Sequence, residues 1–272
     1  MRYDPTSVLQ SIDDHKIILI PCALAFVLNY VWFIDAMRVA RREQRYSMPI
    51  AATFVFMAHD TAYVAHFSTW FGDGGHWFSK LFWVGMVLSF LMELILLDQT
   101  IRYGHAEHAP HWSRRLWTGA VLAGCLATMV LWWVVRGTFD DPLFLVSLGL
   151  VTAAYPPMGL ALLLHRRGAA GQTTLMWGSF TALTLLWYPA AAIGFGEPFR
   201  STVWLGMGAL TTAWAALNTW LVARRPYTPP PCPSTPSATS SRTSIPTPSS
   251  TPTPSSSGGS RSANTPASGR RP

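Results

Sequence analysis

Seven apolar runs of about 20 residues each, the length a helix needs to cross the hydrocarbon core of a bilayer, divide most of this chain: 17–37, 47–70, 78–101, 115–136, 142–164, 173–195 and 201–223. Short polar joints containing Gly or Pro separate them. Of the 272 residues, 50% are hydrophobic and 12% charged, which is too apolar for an ordinary soluble domain. A helix satisfies its backbone polar groups within its own segment, and strand alternation is absent, so a β-barrel is set aside. Asp13, Asp14 and His15 precede the first run and Asn29–Tyr30 interrupt it, so it does not read as a cleaved leader. The expected fold class is all-α: a polytopic membrane protein, a seven-transmembrane-helix bundle, multi-pass and in the cell membrane if the source is bacterial.

Basic residues give the orientation. Arg38, Arg41, Arg42 and Arg45 follow the first run, Arg102, Arg114 and Arg115 the third, Arg166 and Arg167 the fifth, and Arg224 and Arg225 the last. The other side carries Arg2, Lys16, Lys80, Arg136 and Arg200 among many acidic residues. The positive-inside rule then predicts the N-terminus outside and the C-terminus cytoplasmic, which requires an odd number of spans. The net charge of +7 is thereby a topology signal; arginines dispersed at helix ends, with no binding module around them, predict no nucleic-acid partner.

Two segments are expected: residues 1–225 as the membrane domain, and 226–272 as a Ser/Thr/Pro-rich cytoplasmic tail with too few apolar side chains to fold. Cys22, Cys125 and Cys232 show no paired spacing, so neither a disulfide framework nor a metal knuckle is predicted.

Ionisable groups within hydrocarbon cost at least a few kcal/mol, and those that persist usually face the bundle interior and mark function. His59 and Asp60 in the second run and Glu93 in the third are such groups. At 1.5 Å of rise per residue, Asp60 lies about 20 Å and Glu93 about 12 Å from the basic ends of their helices, with Asn29 and Asn218 at comparable depths. These side chains are expected to converge on one buried chamber in the middle to cytoplasmic half. Asp35 and Asp98, nearer the basic ends, are expected to pair with Arg38 and Arg102 at helical spacing. Asn29 and Asn218 also suit the plainer role of interhelical hydrogen-bond glue, and His66, near the outer interface, that of a solvated side chain.

A carboxyl kept from water favours its neutral form and then serves as a proton donor. Adjacent helical residues point about 100° apart, so the sequence does not guarantee a hydrogen bond between His59 and Asp60. Of the 13 tryptophans most suit an interfacial belt or packing, but Trp187 and Trp214 are far enough from the helix ends to line an interior, where a π-face stabilises a cation. A buried acid in an aromatic chamber suits the generation and guidance of carbocations.

The stretch LNYVWFIDAMRVARREQRYSMPI followed by FMAHDTAYV, with QTIRYG at the end of the third run, resembles the small integral-membrane terpene cyclases of fungal meroterpenoid and indole-diterpene pathways and of actinobacterial drimane-type indole pathways. The likeness covers the core from about residue 17 to 225. In that family an Asn-Tyr pair, a basic loop and a Trp-Glu pair follow one another; here Asn29–Tyr30, RREQRYSM and His59–Asp60 occupy matching places. The resemblance implies cyclisation of a prenylated aromatic or indole substrate, started by protonation without ionisation of a diphosphate and without metal or cofactor. Asp60 would be the acid and Glu93 its partner, with His59, Asn29, Tyr30, Trp187, Trp214 and Asn218 around the substrate. A prenyltransferase and an epoxidase would be pathway neighbours. The sequence departs from the family in two ways: Asp60 stands for the usual Glu, with His59 for Trp, and the seventh-run carboxylate has no counterpart in LTTAWAALNTW, which offers only Thr211, Thr212 and Asn218.

The competing reading is a proton-coupled small-molecule transporter or a membrane sensor, with Asp60 and Glu93 relaying protons or binding a cation. It lacks the inverted repeat and the pair of broken helices that often frame a transport site. A retinal photoreceptor needs a lysine in its last helix, and the final lysine here is Lys80. His105, His108 and His111 would converge on a metal only in a suitably turned loop, and a solvated loop is the preferred reading.

Overall fold

The computed structural model describes residues 3–138 and 140–224. The expected tail 226–272, Cys232, Arg225 and Arg2 lie outside the described residues. Among those described there is no strand. The chain runs through α1 (Pro5–Asp14), a 3₁₀ turn (Lys16–Ile18), α2 (Leu19–Glu43), α3 (Ile50–Ala65), α4 (Phe67–Phe71), α5 (Trp77–His108), α6 (Arg114–Thr138), α7 (Leu145–Arg166), α8 (Thr174–Gly194), a second 3₁₀ turn (Glu197–Arg200) and α9 (Thr202–Arg224).

Four of these segments, Lys16–Glu43, α5, α6 and α7, are long and apolar enough to cross a membrane. Large side chains on their outer faces are exposed and apolar, among them Leu24, Val27, Leu81, Leu126 and Val134. Faces of this kind are tolerated against lipid and not against water. The molecule thus has the features of a membrane helical protein.

The second run is interrupted where the sequence predicts one helix over 47–70. Pro49 lacks the N–H that an earlier helical residue would need, so α3 starts at Ile50. It ends at His66, whose backbone leaves the helical region before α4 begins. His66 is not simply solvated: its Nε2 accepts from Arg136 Nη1 at 2.9 Å, and Nδ1 lies 2.6 Å from the Ala62 carbonyl. The third run extends past residue 101, because α5 continues to His108.

Helix α1 lies before the first run and was not foreseen. Asp4 caps it by accepting from the Thr6 and Ser7 amides at 3.1 and 3.2 Å, and Pro5 fits the first turn, where no N–H is needed. Val8 and Ile12, one turn apart, bury their side chains. Tyr3 just upstream donates to Asp141 at 2.5 Å; burial first, and then the neighbouring Asp141 charge, push its phenol well above the usual range, so it stays a donor. Asp141 in turn accepts from the Val146 and Ser147 amides at the start of α7.

Helix α8 packs along both α2 and α9, while α3 packs against α5, α6 and α7. Small residues set the close approaches, as they do where lipid supplies no hydrophobic drive. A Cβ on Gly159 of α7 would fall inside the Trp177 indole of α8. Gly159→Ala is therefore expected to cost about 1–3 kcal/mol by overpacking, read as a lower thermal unfolding temperature in detergent. Pro156 and Pro157 interrupt the hydrogen-bond ladder of α7, and Asn218 of α9 donates to the Pro156 carbonyl at 2.8 Å. That contact ties α9 to α7, the hydrogen-bond glue that polar side chains supply between membrane helices.

Candidate functional site: a carboxyl pair in an aromatic cavity

Five helices each turn one stripe toward a common cavity of about 570 Å³. The spacing within each stripe is helical: Phe56 and Asp60 on α3, Met86, Ser89 and Glu93 on α5, Leu148 and Thr152 on α7, and Phe180, Leu183 and Trp187 on α8. Helix α2 adds Ala25, Phe26, Asn29 and Phe33. Nine of these fourteen side chains are apolar and five of them aromatic. An apolar cavity with a few convergent polar groups is the usual form of a small-molecule site.

Among the described residues Asp60 and Glu93 are the only ionisable groups in the wall, and they are 2% and 0% exposed. Their carboxyls adjoin each other. Neither Glu93 oxygen has a hydrogen-bond partner of ordinary geometry. A buried carboxyl without such a partner is held at a cost of about 1–3 kcal/mol, so Glu93→Met is expected to raise stability by about that amount. Thermal unfolding of the detergent-solubilised protein checks this expectation.

His59 is fully buried yet absent from the cavity wall. It stands behind Asp60, with Nδ1 2.8 Å from Asp60 Oδ1 and Nε2 3.5 Å from the Phe144 carbonyl. Trp132 and Phe144 pack edge-on against its ring. The hydrogen bond forms despite the angular separation of adjacent residues. A ring with its Nε2 hydrogen directed at a carbonyl presents Nδ1 as an acceptor, which matches a protonated Asp60. Drawn instead as imidazolium and carboxylate, the pair contains the same number of protons. In both of these forms His59–Asp60 holds one exchangeable proton at the cavity wall.

The remaining expectations divide. Asn29 lies in the wall and its Nδ2 donates to Ser89 Oγ at 3.4 Å; Trp187 also lies in the wall, and its indole N–H has no acceptor. Tyr30 does not line this cavity but an adjoining groove, with its hydroxyl donating to the Gly85 carbonyl at 3.1 Å. Trp214 and Asn218 do not line this cavity: both belong to α9, which packs on α7 and α8 and adds none of the lining residues. The cavity is also centred differently from the expected middle-to-cytoplasmic chamber. Because α5 continues to His108, Glu93 falls at the middle of that helix, and the cavity extends from there toward the N-terminal ends of α2 and α5.

Asp98 pairs with Arg102 at 2.8 Å as expected, whereas Asp35 accepts a hydrogen bond from Thr173, the cap of α8, in place of an Arg38 pairing. The histidines after the third run face separate partners: His105 Nε2 lies 2.8 Å from the Trp112 carbonyl and His108 Nε2 lies 2.5 Å from the Tyr46 hydroxyl. Cys22 and Cys125 are buried free thiols. Residues missed in the sequence include Phe56 and Ser89, each one helical turn before a carboxyl; that spacing was the usable signal.

Comparison of the chain with protein-family models, with curated proteins and with solved structures finds no match to any of them.

Proposed function

We propose that this protein is a membrane-bound terpene cyclase in which Asp60 protonates a prenylated aromatic or indole substrate. In this reading the bundle crosses the membrane seven times with its N-terminus outside, α3 and α4 together forming the second span. The observation that carries it is the pair of adjoining buried carboxyls in a wall otherwise built mainly of aromatic and aliphatic side chains. Two carboxyls in contact away from water do not both ionise, so the pair retains a proton that can be delivered.

The Asp60 proton passes to the oxygen of a terminal epoxide, whose C–O bond breaks, or to the carbon of a terminal alkene, whose π electrons form the new C–H bond. The tertiary cation so formed is attacked by the next double bond, closing a ring and moving the charge along the chain. Phe26, Phe33, Phe56, Phe180 and Trp187 offer ring faces to the travelling charge. Loss of a proton to a carboxylate of the pair gives a neutral product and restores the acid. Substrate and product have the same mass, and no leaving group departs. Glu93, beside Asp60, takes the place of the carboxylate that the resembling family carries in its seventh helix.

The test incubates membranes containing the protein with farnesylated and geranylgeranylated indoles and phenols, each with and without a terminal epoxide. A cyclised product of unchanged mass is the expected result. Failure of every substrate with correctly inserted protein would overturn the reading and favour proton-coupled transport, measurable as proton flux in vesicles.

A further inference from the structure

Beside the cavity, a second space of about 960 Å³ opens between α2 and α5 on the outer surface of the bundle. Its floor includes Cys22, Phe78 and Phe82, all buried, while its rim includes Leu81, Val84 and Leu88, at 63%, 57% and 42% exposure. A rim so apolar and open faces lipid in a membrane helical protein. The hydroxyl of Tyr30, one of its few polar groups, is already engaged by the Gly85 carbonyl. Phe26 and Trp187 belong to both spaces, so one aromatic pair is the shared partition between lipid-facing groove and inner cavity.

Resting on the cyclase reading above, we propose that this groove is the lateral doorway and seat of the substrate's isoprenoid chain, which slides in from the bilayer past Phe26 and Trp187. The structure favours this occupant over the acyl chain of an ordinary lipid. A saturated acyl chain is apolar at the end that would lead inward, and its polar end stays at the membrane surface. It offers nothing to the inner wall, where the Trp187 N–H and both Glu93 oxygens have no partners. An isoprenoid leads with an alkene or epoxide, and an epoxide oxygen accepts from an indole N–H or a carboxylic acid. The groove gives no hydrophobic gain over lipid, since lipid is equally apolar. Selection therefore rests on shape along the groove and on the polar contact at its inner end.

The test uses two photoreactive probes, geranylgeraniol and hexadecanol each carrying a diazirine near the chain end, with the full-length protein in vesicles. Labelling by the isoprenoid probe is expected on the peptides containing Ala23 and Leu81–Leu88, displaced by geranylgeraniol and not by hexadecanol. Ala23→Trp, which fills the groove from an exposed position, is expected to lower that labelling by about tenfold, in line with overpacking a filled slot. Leu81→Trp is expected to lower it likewise, should Ala23→Trp fail to insert. Equal labelling and competition by the two chains would show an ordinary lipid-facing surface and overturn the proposal, as would labelling spread over α6. Because labelling is read without turnover, an unlabelled groove in a protein that cyclises defeats the doorway alone. A labelled groove in a protein that cyclises nothing defeats the cyclase reading alone.

Discussion

Asp60→Asn is expected to lower cyclisation by about 10²–10⁴-fold, the contribution of a positioned acid, while leaving the protein folded. The asparagine side chain is nearly the same size, and its Nδ2 still donates to His59 Nδ1 across the 2.8 Å that separates the wild-type partners. Packing around α3 is thereby kept, and the proton is gone. Single-turnover conversion alongside a thermal unfolding curve separates the two effects. Full activity in Asp60→Asn would remove the donor role from this residue. Glu93→Gln is expected to act later, altering where the last proton leaves and hence the distribution of double-bond isomers. Asp60→Glu, which restores the acid one methylene longer, is expected to recover part of the rate.

The second large effect lies far from the cavity. Glu107, at the end of α5, receives Arg166 of α7 through two parallel contacts, Nε to Oε1 at 3.0 Å and Nη2 to Oε2 at 2.9 Å. Nη1 of the same guanidinium donates to the carbonyls of Tyr46 and Ala170 at 2.9 and 2.7 Å. One planar group thus fastens the ends of two helices to the α2–α3 and α7–α8 connections. The Arg166 side chain is 2% exposed and that of Glu107 16%. Removing one partner of such a pair strands the other charge, so Glu107→Ala is expected to destabilise by about 3–5 kcal/mol. Replacing both together, as Glu107→Leu with Arg166→Met, is expected to restore most of the loss. Unfolding of the two variants in detergent checks the contrast, and turnover per folded molecule should be unchanged in both. The Tyr46 ring lies 4.2 Å from the Arg166 guanidinium, and burial pushes its phenol up to about 12, so the tyrosine remains a neutral partner across the physiological range.

Helix positions were legible because membrane segments announce themselves by length and apolarity, signals local to the chain. The two carboxyls were legible for the same reason, as residues that a lipid solvent would exclude. What faced them was not. Ser89 and Thr152 look ordinary until the rotation of α5 and α7 is known, and rotation is fixed by contacts such as Trp32 Nε1 donating to the Tyr155 hydroxyl at 3.2 Å, between residues far apart in sequence. Trp214 and Asn218 lie away from this cavity on the same ground: their depth was readable, their facing was not. Helix α1 was overlooked because it is too short for a span, though Asp4–Pro5 and the Val8–Ile12 spacing mark it locally.

Trp32, Tyr155, Trp177 and Phe180 form a close-set group beneath the cavity, with Tyr155 and Trp177 stacked at 4.9 Å and all four rings buried. Phe180 belongs both to that group and to the cavity wall, and Phe33 and Phe56 of the wall pack on Trp32. Interiors packed this way yield little to a ligand. On that side the cavity wall is backed by packed rings, against which a guest molecule would be gauged as against the stop of a ruler. In the proposed cyclase, lengthening the guest by one isoprene unit would move its outer end toward the lipid and leave the inner end in register with Asp60, so the same reaction would begin on chains of different length.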